Sequence, residues 1–170
     1  MKIAFKMKTY NILSIDEFKT NIGNNSRLLG IDPGNKNVGF AICDENKKVA
    51  TPLKIIKKTK FESLINEIIQ IIKDNNIKGI IVGNPINMDG TLGSSAQSVN
   101  DVCFNISKYV DIPLCLWDER LSTVAAEKTL LEANTSRKRR AQIIDFVAAS
   151  YILQGALDRM SQLKLEKMKS

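Results

Sequence analysis

Three apolar runs separated by tight-turn residues restrict this chain to a sheet built around an antiparallel hairpin. Residues 27–32 (RLLGID) read as a buried strand, Pro33-Gly34-Asn35-Lys36 as a tight turn, and residues 38–43 (VGFAIC) as the returning strand. After Asp44-Glu45-Asn46 a third strand is expected near residues 49–56. The period then changes. Thr59-Lys60-Phe61-Glu62 has the spacing of a capping box, and Phe61, Leu64, Ile65, Ile68, Ile69 and Ile72 recur with helical periodicity. Short apolar runs at 78–83 and 112–117 read as further strands, alternating with helices over 95–110 and from Ser122 or Thr123 to Leu131. A last helix carries the apolar stripe Ile144, Val147, Ala148, Tyr151 and Ile152. Strands first and alternation afterwards imply an α/β fold, a mixed sheet with helices on its faces.

At 170 residues and 44% apolar, the chain suits one domain, expected over 27–160. Residues 1–26 read as an N-terminal extension with a short helix around 15–22, and 161–170 as a basic C-terminal tail that frays. The polar, basic stretch 133–140 reads as a mobile loop before the last helix. No apolar run reaches the roughly 20 residues of a membrane span, and the N-terminus lacks a secretory pattern, so a cytoplasmic protein with no membrane partner is expected. Cys43, Cys103 and Cys115 are widely spaced among apolar neighbours and read as buried thiols. There is no histidine, which excludes imidazole chemistry and removes the usual partners of a zinc site. Lys and Arg exceed Asp and Glu by 25 to 18, a net +7 that suits contact with a phosphate backbone or reflects a composition rich in lysine.

Three places could carry chemistry. Asp32 ends the first strand, where it either caps the turn or projects into the crevice above the sheet. Asp118 and Glu119 end another strand; neighbouring strand residues point to opposite faces, so both cannot join Asp32, and one is a structural partner. Asp145 flanks the buried stripe of the last helix, and Ala148 and Ala149, at i+3 and i+4, would let that helix lie close to the sheet. An Asp paired with an Arg is the structural alternative there. Asp89 reads as a turn residue, Trp117 as core or site wall, and Ser94 and Ser95 as helix caps.

Four blocks, LLGIDPGNKNVGFAICD with VATPL, IIVGNPINMDGTLGSSAQSV, LWDERLSTVAAEKTL and IDFVAASYILQGALD, together resemble the YqgF/RuvX family of the ribonuclease H-like superfamily, Holliday-junction resolvases and pre-rRNA nucleases. The blocks run in family order from about Leu28 to Asp158. The resemblance implies a five-stranded mixed sheet with helices on both faces and an active site at the strand ends. It implies Asp32, Glu119 and Asp145 as catalytic and metal-binding acids, choosing Glu119 over Asp118. Two residues depart from the pattern. Pro33 stands where an aromatic residue is more common, giving a GIDPG like that of RuvC resolvases. Gln142 stands where related resolvases often carry a further acid, one turn before Asp145.

Carboxylates are hard oxygen ligands suited to Mg2+ or Mn2+. Without histidine, a metal-activated water or a lysine must handle the proton. Lys36, Arg120, Arg137, Lys138, Arg139 and Arg140 neighbour the acids in sequence and are expected to hold phosphates; four cations at a helix start oppose its dipole and so need another reason. The expected function is metal-dependent hydrolysis of nucleic-acid phosphodiesters, foremost at the 5′ end of pre-16S rRNA, by a monomer or weak homodimer acting on the small-subunit precursor. The alternatives are resolution of four-way DNA junctions, a weakly catalytic ribosome-assembly binding module, and an ATPase of the actin and sugar-kinase type. The last is suggested by the glycines around Asp32, and opposed by the lack of a second half.

Overall fold

The computed structural model describes residues 11–85, 89–91, 93–119 and 136–170. Arg120 and the helix expected at 122–131 lie outside the described residues. The three-run pattern folds as expected: β1 (Arg27–Pro33), β2 (Asn37–Cys43) and β3 (Ala50–Lys57) form an antiparallel meander. The remaining strands, β4 (Ile77–Asn84) and β5 (Leu114–Asp118), add in parallel on the other side of β1, giving the order β3-β2-β1-β4-β5. The sheet is therefore mixed and five-stranded. Because β1, β4 and β5 run the same way, their carboxyl ends share one edge.

Four helices belong to the described residues: α1 (Ile15–Asn21), α2 (Phe61–Asn75), α3 (Ser94–Ser107) and α4 (Arg137–Lys169). Alternation along the strands sorts them onto the two faces. Leu29 and Ile31 of β1, with Ile80, Val82 and Leu114, pack into one apolar cluster with Ile65, Ile68 and Ile71 of α2 and Cys103 and Ile106 of α3. On the opposite face Leu28, Ala41, Ile81, Cys115 and Trp117 join Phe18 of α1 and Ala149, Ile152, Leu153, Ala156 and Leu157 of α4. All three cysteines are free and buried, and burial pushes Cys103 and Cys115 up to about 12, so they are inert packing groups.

Several local expectations need correction. The box at Thr59 does not form: α2 starts at Phe61 with Lys60 as its N-cap, which puts Glu62 one position too early to reach back. A capping box forms instead at Ser14, whose hydroxyl accepts from Glu17 N–H while the Glu17 carboxylate accepts from Ser14 N–H. It begins a helix that places Phe18, fully buried, in the α4-side core, and Asn11 and Leu13 hydrogen-bond to Leu114. The segment from residue 11 is thus joined to the core. One buried aromatic in a seven-residue helix leaves no periodicity to read. Ser94 and Ser95 are not caps, since Gly93 occupies that position.

The last helix is longer than expected at both ends. Arg137, Lys138, Arg139 and Arg140 form its first turn rather than a loop, and the tail beyond Met160 stays helical to Lys169, held by buried Leu163 and by Lys19 Nζ, which donates to the Met160 carbonyl at 2.6 Å. Its buried row is rotated from the expected stripe and runs through Ala149, Ile152, Leu153, Ala156, Leu157 and Met160. No helix among the described residues is long and apolar enough to cross a membrane.

Candidate active site

Asp32 follows Leu28 and Gly30 in the β1 alternation and so belongs to the face that α4 covers. What lets α4 come close is the missing side chain at Gly30: a Cβ there would lie 2.8 Å from Leu153 Cβ and 2.9 Å from the Ala149 carbonyl oxygen. In the next strand Gly39, the register partner of Asp32, faces the helix one turn higher; a Cβ there would sit 3.2 Å from the Asp145 carbonyl oxygen and 3.6 Å from Ala149 Cβ. The expected role of small residues is met by Ala149, fully buried against these glycines. Asp145, four residues before it, therefore continues the sheet-facing row itself. Its side chain is exposed because it sits where the strands end.

Glu119 follows β5 with the parity of Cys115 and Trp117, so it too falls on the α4 side, and Asp118 on the other. Its carboxylate fills the space above Gly83: a Cβ on Gly83 would meet Glu119 Oε1 and Ile152 Cδ1, each at 2.5 Å. A glycine inside the apolar run IIVGN is the sequence mark of such a close approach. Trp117, at 7% exposure, is core, as expected.

The electrostatics make Asp32 the middle member of two coupled pairs. Burial first, and the Asp145 carboxylate second, push Asp32 up to about 6. For Glu119, burial again leads, followed by the charges of Asp32 and Asp118, and the group rises to about 7. Asn37 Nδ2 donates to Asp145 Oδ2 at 3.2 Å, orienting that carboxylate towards the hairpin. Among the described residues no three acids or thiols converge tightly enough to form a metal cage. The donor set is nonetheless of the right kind: hard oxygens, partly desolvated and mutually repelling, whose repulsion a divalent cation would relieve.

Among the described residues, clefts open on Asp32 from two sides. One, about 250 Å³, is lined by Asp32, Lys36, Asn37, Gly39 and Asp145 among others. A second, about 160 Å³, brings in Pro33, Lys58, Pro85, Ser98 and Glu119. Lys36 thus lies where the sequence put it. Lys58 and Ser98 carried no local signal; the first arrives because Lys58 N–H donates to the Lys36 carbonyl at 2.8 Å across the β2–β3 edge. Arg137, Lys138 and Arg139 are exposed at the start of α4, with no acid in its first turn. At 1.5 Å per residue they lie about 9–12 Å along the axis from Asp145. Gln142, one turn before Asp145, is exposed and lines neither cleft. Asp89 is a turn residue, its Oδ1 accepting from Thr91 N–H and Oγ1–H.

A mixed five-stranded sheet in this order, with helices on both faces, is a ribonuclease H-like fold. The solved structure of T. thermophilus RuvC in complex with a Holliday junction shares it, with a TM-score of 0.51 and 13% identity over 80% of this chain and 96% of that one. The family described as "RuvX: Holliday junction resolvase" matches residues 26–159, and this chain belongs to that family of nucleases. It is 56% identical over 149 residues to a Pelagibacter ubique protein named "Putative pre-16S rRNA nuclease", covering 86% of this chain and 97% of the relative. A protein of the same name from Ruegeria sp. is 49% identical over 151 residues, with 89% and 96% covered. The family match starts at Ser26, so α1 lies outside it.

Proposed function

We propose that this nuclease trims the 5′ end of pre-16S rRNA on the small-subunit precursor, with Asp32, Glu119 and Asp145 as the catalytic and metal-binding acids. The observation that carries the reading is the gathering of acids from β1, the end of β5 and α4 at one sheet edge, with Asp32 coupled to both others. When bound by these oxygens, Mg2+ or Mn2+ supplies Lewis-acid activation for phosphodiester hydrolysis. The chain's own residues do the rest. Lys36, in the cleft beside Asp32, holds a non-bridging oxygen of the scissile phosphate, and Asn37 fixes the Asp145 carboxylate against rotation. Arg120, Arg137, Lys138, Arg139 and Arg140 take neighbouring phosphates, which offsets the unfavourable placing of cations at the amino end of α4. Ionisation of Asp32 and Glu119 prepares the site.

The name shared by the close relatives favours rRNA, and a single copy suffices for one strand end. The family description favours the other substrate, a four-way DNA junction, whose symmetric cleavage calls for a two-fold dimer. Cleavage of labelled precursor rRNA and of four-way junctions, side by side with Mg2+ or Mn2+, separates them. Metal-dependent trimming of the RNA, lost in both Asp32→Asn and Asp145→Asn, is expected. Cleavage of junctions alone transfers the assignment to DNA. Binding without cleavage of either, unchanged in the two variants, replaces the nuclease by a binding module.

A further inference from the structure

At the far end of α4 from the acids, a cleft of about 200 Å³ lies between that helix, the α1–β1 turn and the β2–β3 turn. Its lining includes Lys19, Lys47, Lys48 and Lys164, with Asn24 and Asn46, and among the described residues no acid. Two of the ammonium groups are held in place: Lys19 Nζ donates to the Met160 carbonyl at 2.6 Å, and Lys47 Nζ to the Gly23 carbonyl at 2.8 Å. Each uses one of its three protons there and has two left to donate. Lys47 keeps its place through a left-handed backbone (φ 55°) in a turn tied to the Asp44 carboxylate. Of the acids near the cleft, Asp44 is tied to the backbone of its own turn and Glu166 to Arg159 at 3.2 Å, while Asp16 stands beside Lys19 on α1 outside the cleft lining. Burial, then the charges of Lys167 and Lys164, lower the Lys19 pKa, only partly offset by Asp16 and Glu166, so the lysines stand close enough to repel one another. A cleft of four lysines, two of them held in place, fits a polyanion whose charges are closely spaced.

We propose that this lysine cleft binds the phosphate backbone of the same RNA strand that reaches the acids, as a second anchor remote from the scissile bond. The proposal rests on the nuclease reading for the identity of the strand. Asp145 and Lys164 are 19 positions apart on one helix, or about 28 Å at 1.5 Å per residue. A stacked strand advances about 3.4 Å per nucleotide, so roughly eight nucleotides bridge the two places. The helix sets that separation rigidly.

The test is a titration of the full chain with a labelled 20-nucleotide single-stranded RNA across a salt series. The double variant Lys48→Gln/Lys164→Gln alters two exposed cleft lysines, and Lys73→Gln/Lys78→Gln removes the same charge from exposed positions elsewhere. The cleft variant is expected to bind about tenfold more weakly at low salt. Its salt slope should be shallower by about 1.4, the share of two single-strand phosphate contacts. The control should bind within about twofold of the parent. Equal weakening in the two variants reduces the effect to net charge and overturns the proposal, as does no weakening in either. Loss of binding to phosphatidylserine vesicles with RNA binding unaffected overturns it in favour of a membrane surface. If the cleft variant alone loses RNA affinity while the wild type cleaves nothing, the anchor stands and the nuclease reading fails.

Discussion

The two faces of the sheet are built on opposite principles. Beneath α2 and α3 the contact is thick and branched: Leu29, Ile31, Ile80 and Val82 meet Ile65, Ile68, Ile71 and Ile106. Beneath α4 the helix meets Gly30, Gly39 and Gly83, and the nearest groups there are Leu153 Cβ and the Ala149 carbonyl, the Asp145 carbonyl, and Ile152 Cδ1 beside Glu119 Oε1. The thick face maximises apolar burial and keeps its helices at side-chain distance. The thin face, beneath α4, keeps an apolar core around Leu28, Ile81 and Leu157 but at its glycines trades side-chain bulk for approach, which short side chains such as Asp32 and Asp145 need if they are to act together across two elements. The acids stand on the thin face.

Substitutions on the two faces should therefore fail differently. Asp32→Asn is expected to lower cleavage beyond the roughly 100-fold typical of outer-shell changes. It should leave the melting temperature of the metal-free protein unchanged or raised, since a like charge is removed. A loss of folding instead would mean that Asp32 is a structural cap. Ile80→Ala, on the thick face, should cost about 2–5 kcal/mol in urea unfolding, with activity per folded molecule intact. Gly83→Ala on the thin face should cost less, about 1–3 kcal/mol from overpacking, yet reduce cleavage because the methyl displaces Glu119. If Gly83→Ala keeps full activity at reduced stability, the closeness of this face serves packing alone.

The pH dependence follows from the raised carboxyls. Asp32 and Glu119 titrate near 6 and 7 in the folded chain and near 4 when unfolded. Between those values the folded state holds more protons, so the stability of the metal-free protein falls as pH rises from about 4 through 7 and levels off above. Adding Mn2+ should recover more stability at pH 8 than at pH 5, because protons compete for the same oxygens. Thermal melts with and without metal read both. A stability that instead rises over this interval would break the electrostatic picture of the thin face. Asn37→Ala, which frees the Asp145 carboxylate from one hydrogen bond, should have the smallest effect, about 1 kcal/mol in transition-state stabilisation.

Local chemistry along the chain was enough to determine the meander, the alternation that follows it, the burial of the cysteines, the strand-end position of Asp32, and the rule that only one of Asp118 and Glu119 shares its face. These depend on period and turn chemistry, which act between near neighbours. Tertiary structure decided the rest. It rotated the buried row of α4 so that Asp145 became its upward continuation, and drew the Arg137 turn into the helix. It also brought Lys58 and Ser98 to the cleft and gathered four lysines at the opposite end. The rotation of a helix is set by which of its residues find glycines across the sheet, here Ala149 and Leu153 over Gly30. Those partners lie more than a hundred residues away in sequence, where no local pattern can register them.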